Sequence, residues 1–239
     1  MDTIKINAKN TKIIAHRGLS GIEAENTNAA FIAAGNRSYY GIETDIRKTK
    51  DGIYAVNHDG NLLRVAGNDS VIEENDYDTL SEIIFFDKDG SKNRNDLRIT
   101  NLDNYIKICK KYGKQSILEL KSDFDDSDIK EITDIINKYD YFDKVTFISF
   151  YYDPLLRIRK IYPDSSVQFL FREITREVTE KLNRDRIDVD VKYTALTKEN
   201  IDMLHSLGLK VNCWTVDDKT VAEELIEMGV DFITTNILE

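Results

Sequence analysis

The sequence predicts an α/β protein folded as a (β/α)8 TIM barrel. Eight short β-rich runs alternate with helical patterns along the 239 residues, and eight parallel strands is the number that closes such a barrel. The competing architecture, a doubly wound open sheet, is disfavoured because no glycine-rich phosphate loop follows the first strand.

The first strand is KIIAH at 12–16. A helix at about 27–36 follows, with Asn26 or Thr27 as its cap and Gly35 or Asn36 at its end. YGIETD at 40–45 is the second strand. More than fifty residues then separate it from a helix at 101–112, too many for a plain loop, so an insertion with hairpin-like pieces is expected at about 47–98. Gly52, Asp59 and Gly60 supply turn residues within it.

The alternation then resumes. Strands are expected at 115–121, 144–150, 166–171, 187–191, 209–216 and 231–235, with helices at 126–139, 153–161, 174–183, 197–207 and 218–228. Pro154 suits a first helical turn and Pro163 follows a helix end. Thr197 and Asp217 or Asp218 are caps, and Gly208 and Gly229 are stops. The expectation is one domain over 1–239, with the eighth helix absent or replaced by the N-terminal segment.

Composition narrows the function classes. Charged residues are 32% and hydrophobic residues 41%, an ordinary globular balance. The net charge of −10 argues against a nucleic-acid partner and weakly against anionic membranes. No apolar run is long enough to span a membrane, and the first residues lack a secretory h-region, so a cytoplasmic protein without stable membrane insertion is expected. Cys109 and Cys213 stand alone on predicted buried elements and form neither a disulfide framework nor a zinc motif.

In a (β/α)8 barrel the functional side chains gather at the C-terminal ends of the strands. Glu43 and Asp45 share one face of the second strand, and Glu119 and Lys121 one face of the third. In a barrel that face points to the axis. Parallel strands are covered on both faces, so two neighbouring strands with the same acidic parity are poorly explained as solvated surface. Three converging carboxylates require a compensating charge, and a hard divalent cation, Mg²⁺ or Ca²⁺, is the natural one.

His16 and Arg17 end the first strand, and His58 follows an extended run in the insertion. Beside three acids, the two imidazoles suit a general acid and a general base. Arg17 can hold a phosphate oxygen and Lys121 can add a point charge, although for Lys121 an ordinary ion pair with Glu119 competes strongly. Trp214, the one tryptophan, and Phe150 lie at strand ends, where each is either core or an apolar wall for an alcohol. His205, near a helix end, is assigned no function.

Two long blocks carry a family resemblance. IAHRGLSGIEAENTNAAFIAA (14–34) resembles the HRG…PENT…AF block of the glycerophosphodiester phosphodiesterase family, and GIETDIRKTKDGIYAVNHDGNLLRVAG (41–67) its IE-x-D…T-x-DG…V-x-HD…L-x-R block. ILELK (117–121), FISF (147–150), VNCWTV (211–216) and GVDFITTN (229–236) follow in the family's order. The resemblance implies a barrel with an insertion after the second strand. It implies metal ligation by Glu43, Asp45 and Glu119, acid–base roles for His16 and His58, phosphate contacts by Arg17 and Lys121, and an apolar substrate wall from Trp214 and Phe150. Two positions depart: Ala24 stands where the family has proline, and Asn236 where it has the aspartate of TD-x-P.

The expected activity is metal-dependent hydrolysis of a small-molecule glycerophosphodiester to glycerol 3-phosphate and an alcohol. The attacking group is water or a neighbouring hydroxyl of the substrate. The alternatives are a lysophospholipase D-type cleavage at the same site and a non-catalytic phosphoglycerol-binding protein. The sequence is compatible with a homo-oligomer and does not specify one.

Overall fold

The structure is a computed structural model and describes residues 2–239. β1 (Lys12–Ala15) leads through α1 (Asn28–Gly35) to β2 (Gly41–Lys48). The chain then leaves the barrel for β3 (Tyr54–Val56), α2 (Leu63–Ala66), α3 (Tyr77–Ser81) and β4 (Thr100–Asn101). It returns through α4 (Leu102–Tyr112) to β5 (Gln115–Leu120). Regular repeats follow: α5 (Asp126–Asn137), β6 (Val145–Ser149), α6 (Tyr152–Ile161), β7 (Ser166–Phe171), α7 (Arg176–Asp185) and β8 (Asp188–Lys192). α8 (Lys198–Ser206), β9 (Val211–Trp214), α9 (Lys219–Met228) and β10 (Phe232–Thr235) complete the chain.

β1, β2 and β5 to β10 are parallel, and β10 pairs back onto β1, so the eight strands close. The pattern that predicts the barrel is the one that packs it. Ile13, Ile42, Ile46, Leu118, Leu120, Phe147, Val189 and Val211 turn outward into the main core beneath the helices. Ile14, Ile117, Ile148, Leu170 and Phe232 turn inward and fill the barrel as a separate apolar layer.

Local signals set the helix ends. Thr27, not Asn26, caps α1 by accepting from Ala30 N. Thr197 and Asn200 form a capping box on α8, and Asp218 caps α9. Gly113 and Gly229 end α4 and α9 in the left-handed region.

The insertion extends the sheet by antiparallel pairing of β3 on β2 and β4 on β3. Its own apolar cluster includes Leu62, Ile72, Leu80, Phe85 and Leu97. Ala24, from the loop after β1, is buried in that cluster, so the site of the proline departure is a contact between barrel and insertion. Among the described residues no helix follows β10. Instead residues 4–6 pair with the chain end: Ile4 N donates to Ile237 O (3.1 Å), Ile6 N to Glu239 O (2.9 Å) and Glu239 N to Ile4 O (2.8 Å). Leu238 is fully buried beneath this pairing.

Candidate active site

Strand parity brings Glu43 and Asp45 from β2 and Glu119 from β5 to the C-terminal mouth of the barrel, with Asp45 in register with Glu119. One oxygen from each lies within 4.8 Å of the other two, and all three residues are buried. Crowding three carboxylates out of water separates their proton affinities. Burial, then the charges of Asp45 and Glu119, push Glu43 well above the usual carboxylate range. Burial and the charge of Asp45 push Glu119 up to about 8. Burial acts against Asp45 too, but the cations of Lys121 and Arg17 outweigh it and hold that carboxyl below its ordinary value.

The loop after β1 supplies the next group. Arg17 (φ 54°) and Gly18 (φ 74°) make a sharp left-handed turn there. A Cβ on Gly18 would lie 2.7 Å from Ala30, so only glycine lets α1 approach. The turn aims the Arg17 amide at Glu43 Oε2, to which it donates at 2.8 Å. The Arg17 Nη1 pairs with Glu25 (2.8 Å), and its Nε lies 3.6 Å from Asp45. Lys121, one residue past β5, sits 2.8 Å from Glu119 and 3.4 Å from Asp45. The ordinary ion pair that competes for Lys121 is therefore present, in the same place as the proposed phosphate contact.

Both imidazoles are held by Nδ1. His16 Nδ1 lies 2.8 Å from Asn236 Oδ1, and His58 Nδ1 lies 2.7 Å from Asp59 Oδ1. These acceptors fix the proton on Nδ1 and leave Nε2 for chemistry; His16 Nε2 is 3.9 Å from Glu43. Burial first, then Arg17, lowers His16 to about 4. Burial also lowers His58, against the pull of Asp45.

His16, Arg17, Glu43, His58 and Glu119 line one cavity of about 150 Å³, together with Ile148, Phe150, Leu170, Asp190 and Trp214. The Phe150 and Trp214 rings meet edge to face at 5.7 Å. Phe150 does not end its strand: β6 stops at Ser149, whose hydroxyl donates to Leu120 O (2.7 Å) and accepts from Tyr151 N (3.0 Å). Phe150 is thereby turned out to the rim, 40% exposed. His205 lies outside the site and pairs with Asp231 at 2.9 Å.

Sequence reasoning missed several supporting residues. Asn26, weighed above only as a cap, donates from Nδ2 to Asp45 Oδ2 and accepts from Thr44 Oγ1, both at 2.8 Å. Arg64 of the insertion pairs with Glu25 and Asp59, each at 2.7 Å, so one side chain braces the partners of both Arg17 and His58. Both residues fall in the two quoted blocks, where the ENT and L-x-R patterns mark them. Arg172 stands over the Phe150 and Trp214 rings at 5.7 and 5.4 Å. Asp190 lines the cavity floor; no spacing rule singles either of these out.

Two cations, two imidazoles and clustered carboxylates around a small cavity suit cleavage of an anionic ester, and the fold places them where barrel enzymes carry their chemistry. Residues 16–239 match the Glycerophosphoryl diester phosphodiesterase family. The chain belongs to that family, and it is an enzyme of phosphodiester cleavage. A glycerophosphodiester phosphodiesterase of Caldanaerobacter subterraneus subsp. tengcongensis is 27% identical over 229 residues, covering 95% of this chain and 94% of that one. The crystal structure of a glycerophosphodiester phosphodiesterase from Parabacteroides distasonis superposes with a TM-score of 0.80 at 28% identity, over 95% of this chain and 93% of that one. An Oleispira antarctica phosphodiesterase, solved in complex with the product sn-glycerol-3-phosphate, shares the fold with a TM-score of 0.83 at 23% identity, over 94% and 92% of the two chains.

Proposed function

We propose that this chain hydrolyses glycerophosphodiesters to glycerol 3-phosphate and an alcohol, using one divalent cation, Mg²⁺ or Ca²⁺, held by Glu43, Asp45 and Glu119. The observation that carries the reading is the convergence of those three buried carboxylates at a cavity that Glu43 and Glu119 line with His16 and His58. The residues fit such an ion. Asp45 Oδ1 is buried without a hydrogen-bond partner, its nearest cation, Lys121, lying 3.4 Å away. The donor set is all oxygen, as a hard cation prefers. Bound there, the ion would neutralise the carboxylates and draw charge from a phosphate oxygen.

The chain's own groups do the rest. Arg17 keeps a buried Nε without a hydrogen-bond partner, ready for a second phosphate oxygen, and Lys121 adds its charge beside it. One imidazole takes the proton of the attacking hydroxyl, whether of water or of the substrate, through Nε2. The other gives a proton to the departing alkoxide. Both histidines are lowered by burial, His16 to about 4, so a bound anionic diester raises whichever one must act as the acid. Trp214 and Phe150 offer an apolar wall to the glycerol carbons.

Glycerophosphocholine, incubated with Mg²⁺ or Ca²⁺, is expected to release glycerol 3-phosphate, with the release lost in His16→Ala and in His58→Ala. Cleavage of lysophosphatidylcholine alone points instead to the lysophospholipase D reading. Binding without cleavage points to a phosphoglycerol-binding protein.

A further inference from the structure

Asp190 has no part in the chemistry above. It is the third residue of β8, in register with Leu170 on β7 and Asn212 on β9, which puts its side chain on the inward face. It is 1% exposed and lines the cavity that His16, His58 and Glu119 share. Its Oδ1 has no hydrogen-bond partner. The polar groups around it are satisfied by one another: Asn212 Nδ2 donates to Gln168 Oε1 at 2.9 Å, and Thr234 Oγ1 donates to Asn212 Oδ1 at 3.4 Å. A buried carboxyl oxygen without a partner is costly, and a leucine would fill the place without that cost. The barrel therefore gains nothing from the group, and a ligand would satisfy it.

The surroundings indicate which ligand. Ile148, Leu170, Phe150 and Trp214 form an apolar wall beside Asp190. Trp214 Nε1 donates to the Asp190 carbonyl at 3.3 Å, so the wall and the carboxyl are held in one frame. A carbon chain laid on that wall, with a hydroxyl turned to the floor, matches the arrangement. Across the cavity stand the groups that would hold phosphate.

Resting on the function proposed above, we infer that Asp190 is a specificity-determining residue that hydrogen-bonds the terminal hydroxyl of the substrate's phosphate-bearing glycerol unit. Burial, with the charge of Glu119 second, pushes the Asp190 carboxyl well above the usual range. A neutral carboxyl both donates and accepts, as a hydroxyl does. The residue thus discriminates a glycerol phosphodiester from one that lacks the terminal hydroxyl.

The test compares kcat/KM on glycerophosphocholine with that on 2-hydroxypropyl phosphocholine, a diester of the same length that keeps the hydroxyl beside the phosphate ester and lacks only the terminal one. Wild-type protein prefers the glycerol diester. Asp190→Leu lowers kcat/KM on it by roughly 10- to 100-fold and leaves the hydroxypropyl diester within about threefold. Asp190→Asn, which keeps a donor and an acceptor, retains an intermediate preference and serves if the leucine variant does not fold. A preference unchanged in both variants, an equal loss on both diesters, or a wild type without preference overturns the inference. Wild-type protein inactive on both diesters overturns the functional reading itself, and this inference with it.

Discussion

His16 Nδ1 lies 2.8 Å from Asn236 Oδ1. The orientation of the amide is fixed independently, because Asn236 Nδ2 donates to Asp217 Oδ2 at 2.6 Å and Ser20 Oγ donates to the same Oδ1 at 2.6 Å. The position where the family pattern has aspartate is therefore the orienting partner of one imidazole. A neutral amide steadies the ring, but it stabilises imidazolium less than a carboxylate would, and burial leaves His16 at about 4. Asn236→Asp is expected to raise the His16 value. The limb of the kcat/KM–pH profile that belongs to His16 then moves to higher pH, whichever role His16 plays, and the His58 limb stays. An unmoved profile contradicts the orienting role.

Trp214 and Phe150 present joined rings at the cavity rim. Trp214→Ala is expected to raise KM for the diester by about tenfold, with a smaller change in kcat, if the ring meets the substrate's carbons and not the reacting atoms, as proposed above. Steady-state kinetics on wild type and variant check this. A pure kcat loss would place the ring elsewhere in the mechanism.

The terminal pairing has a pH signature. Glu239 Oε2 lies 2.8 Å from Lys5 Nζ and accepts from Thr3 Oγ1 at 2.6 Å, while Oε1 accepts from Ser38 N at 2.8 Å. Burial alone would raise this carboxyl, but the bonds from Lys5, Thr3 and Ser38 outweigh it and lower it from 4.5 to about 2. The unfolded chain thus takes up this proton first as pH falls. The contribution is whole above the unfolded value and is lost as pH falls through the folded one. Glu239→Gln is expected to cost about 2 kcal/mol at pH 7 and little at pH 2. Denaturant unfolding at the two pH values measures the difference.

The insertion carries its own core. Leu80 is fully buried within it, and Leu80→Ala is expected to cost about 2–5 kcal/mol in thermal or denaturant unfolding. Activity should fall with it, because the same segment supplies His58, Asp59 and Arg64. A stable variant with full activity would show that the cluster does not hold the loop.

The barrel was legible because its strands are buried on both faces and its helices carry caps and stops. GIETDIRK and QSILEL alternate in a way that fixes the direction of Glu43, Asp45 and Glu119. His16 and His58 were legible by their place at a strand end and a turn. Contacts between distant loops were not. Asn26 looks like a cap because it stands beside Thr27, and only the fold shows it holding Asp45. The Arg64–Glu25 brace joins residues 39 apart. Asp190 alternates with valines on β8, as Asp188 does, and pattern alone does not tell a floor from an entrance. Phe150 reads as a strand residue until the Ser149 hydroxyl ends the strand.

The central claim is that Glu43, Asp45 and Glu119 together hold one divalent cation on which turnover depends. Calorimetric titration of Mg²⁺ or Ca²⁺ into apo protein, beside Glu43→Gln and Asp45→Asn, tests it directly. The account predicts a single site in wild type, no measurable site in either variant, and diester cleavage abolished with it. Undiminished binding in the variants, or full wild-type turnover under excess chelator, would contradict it.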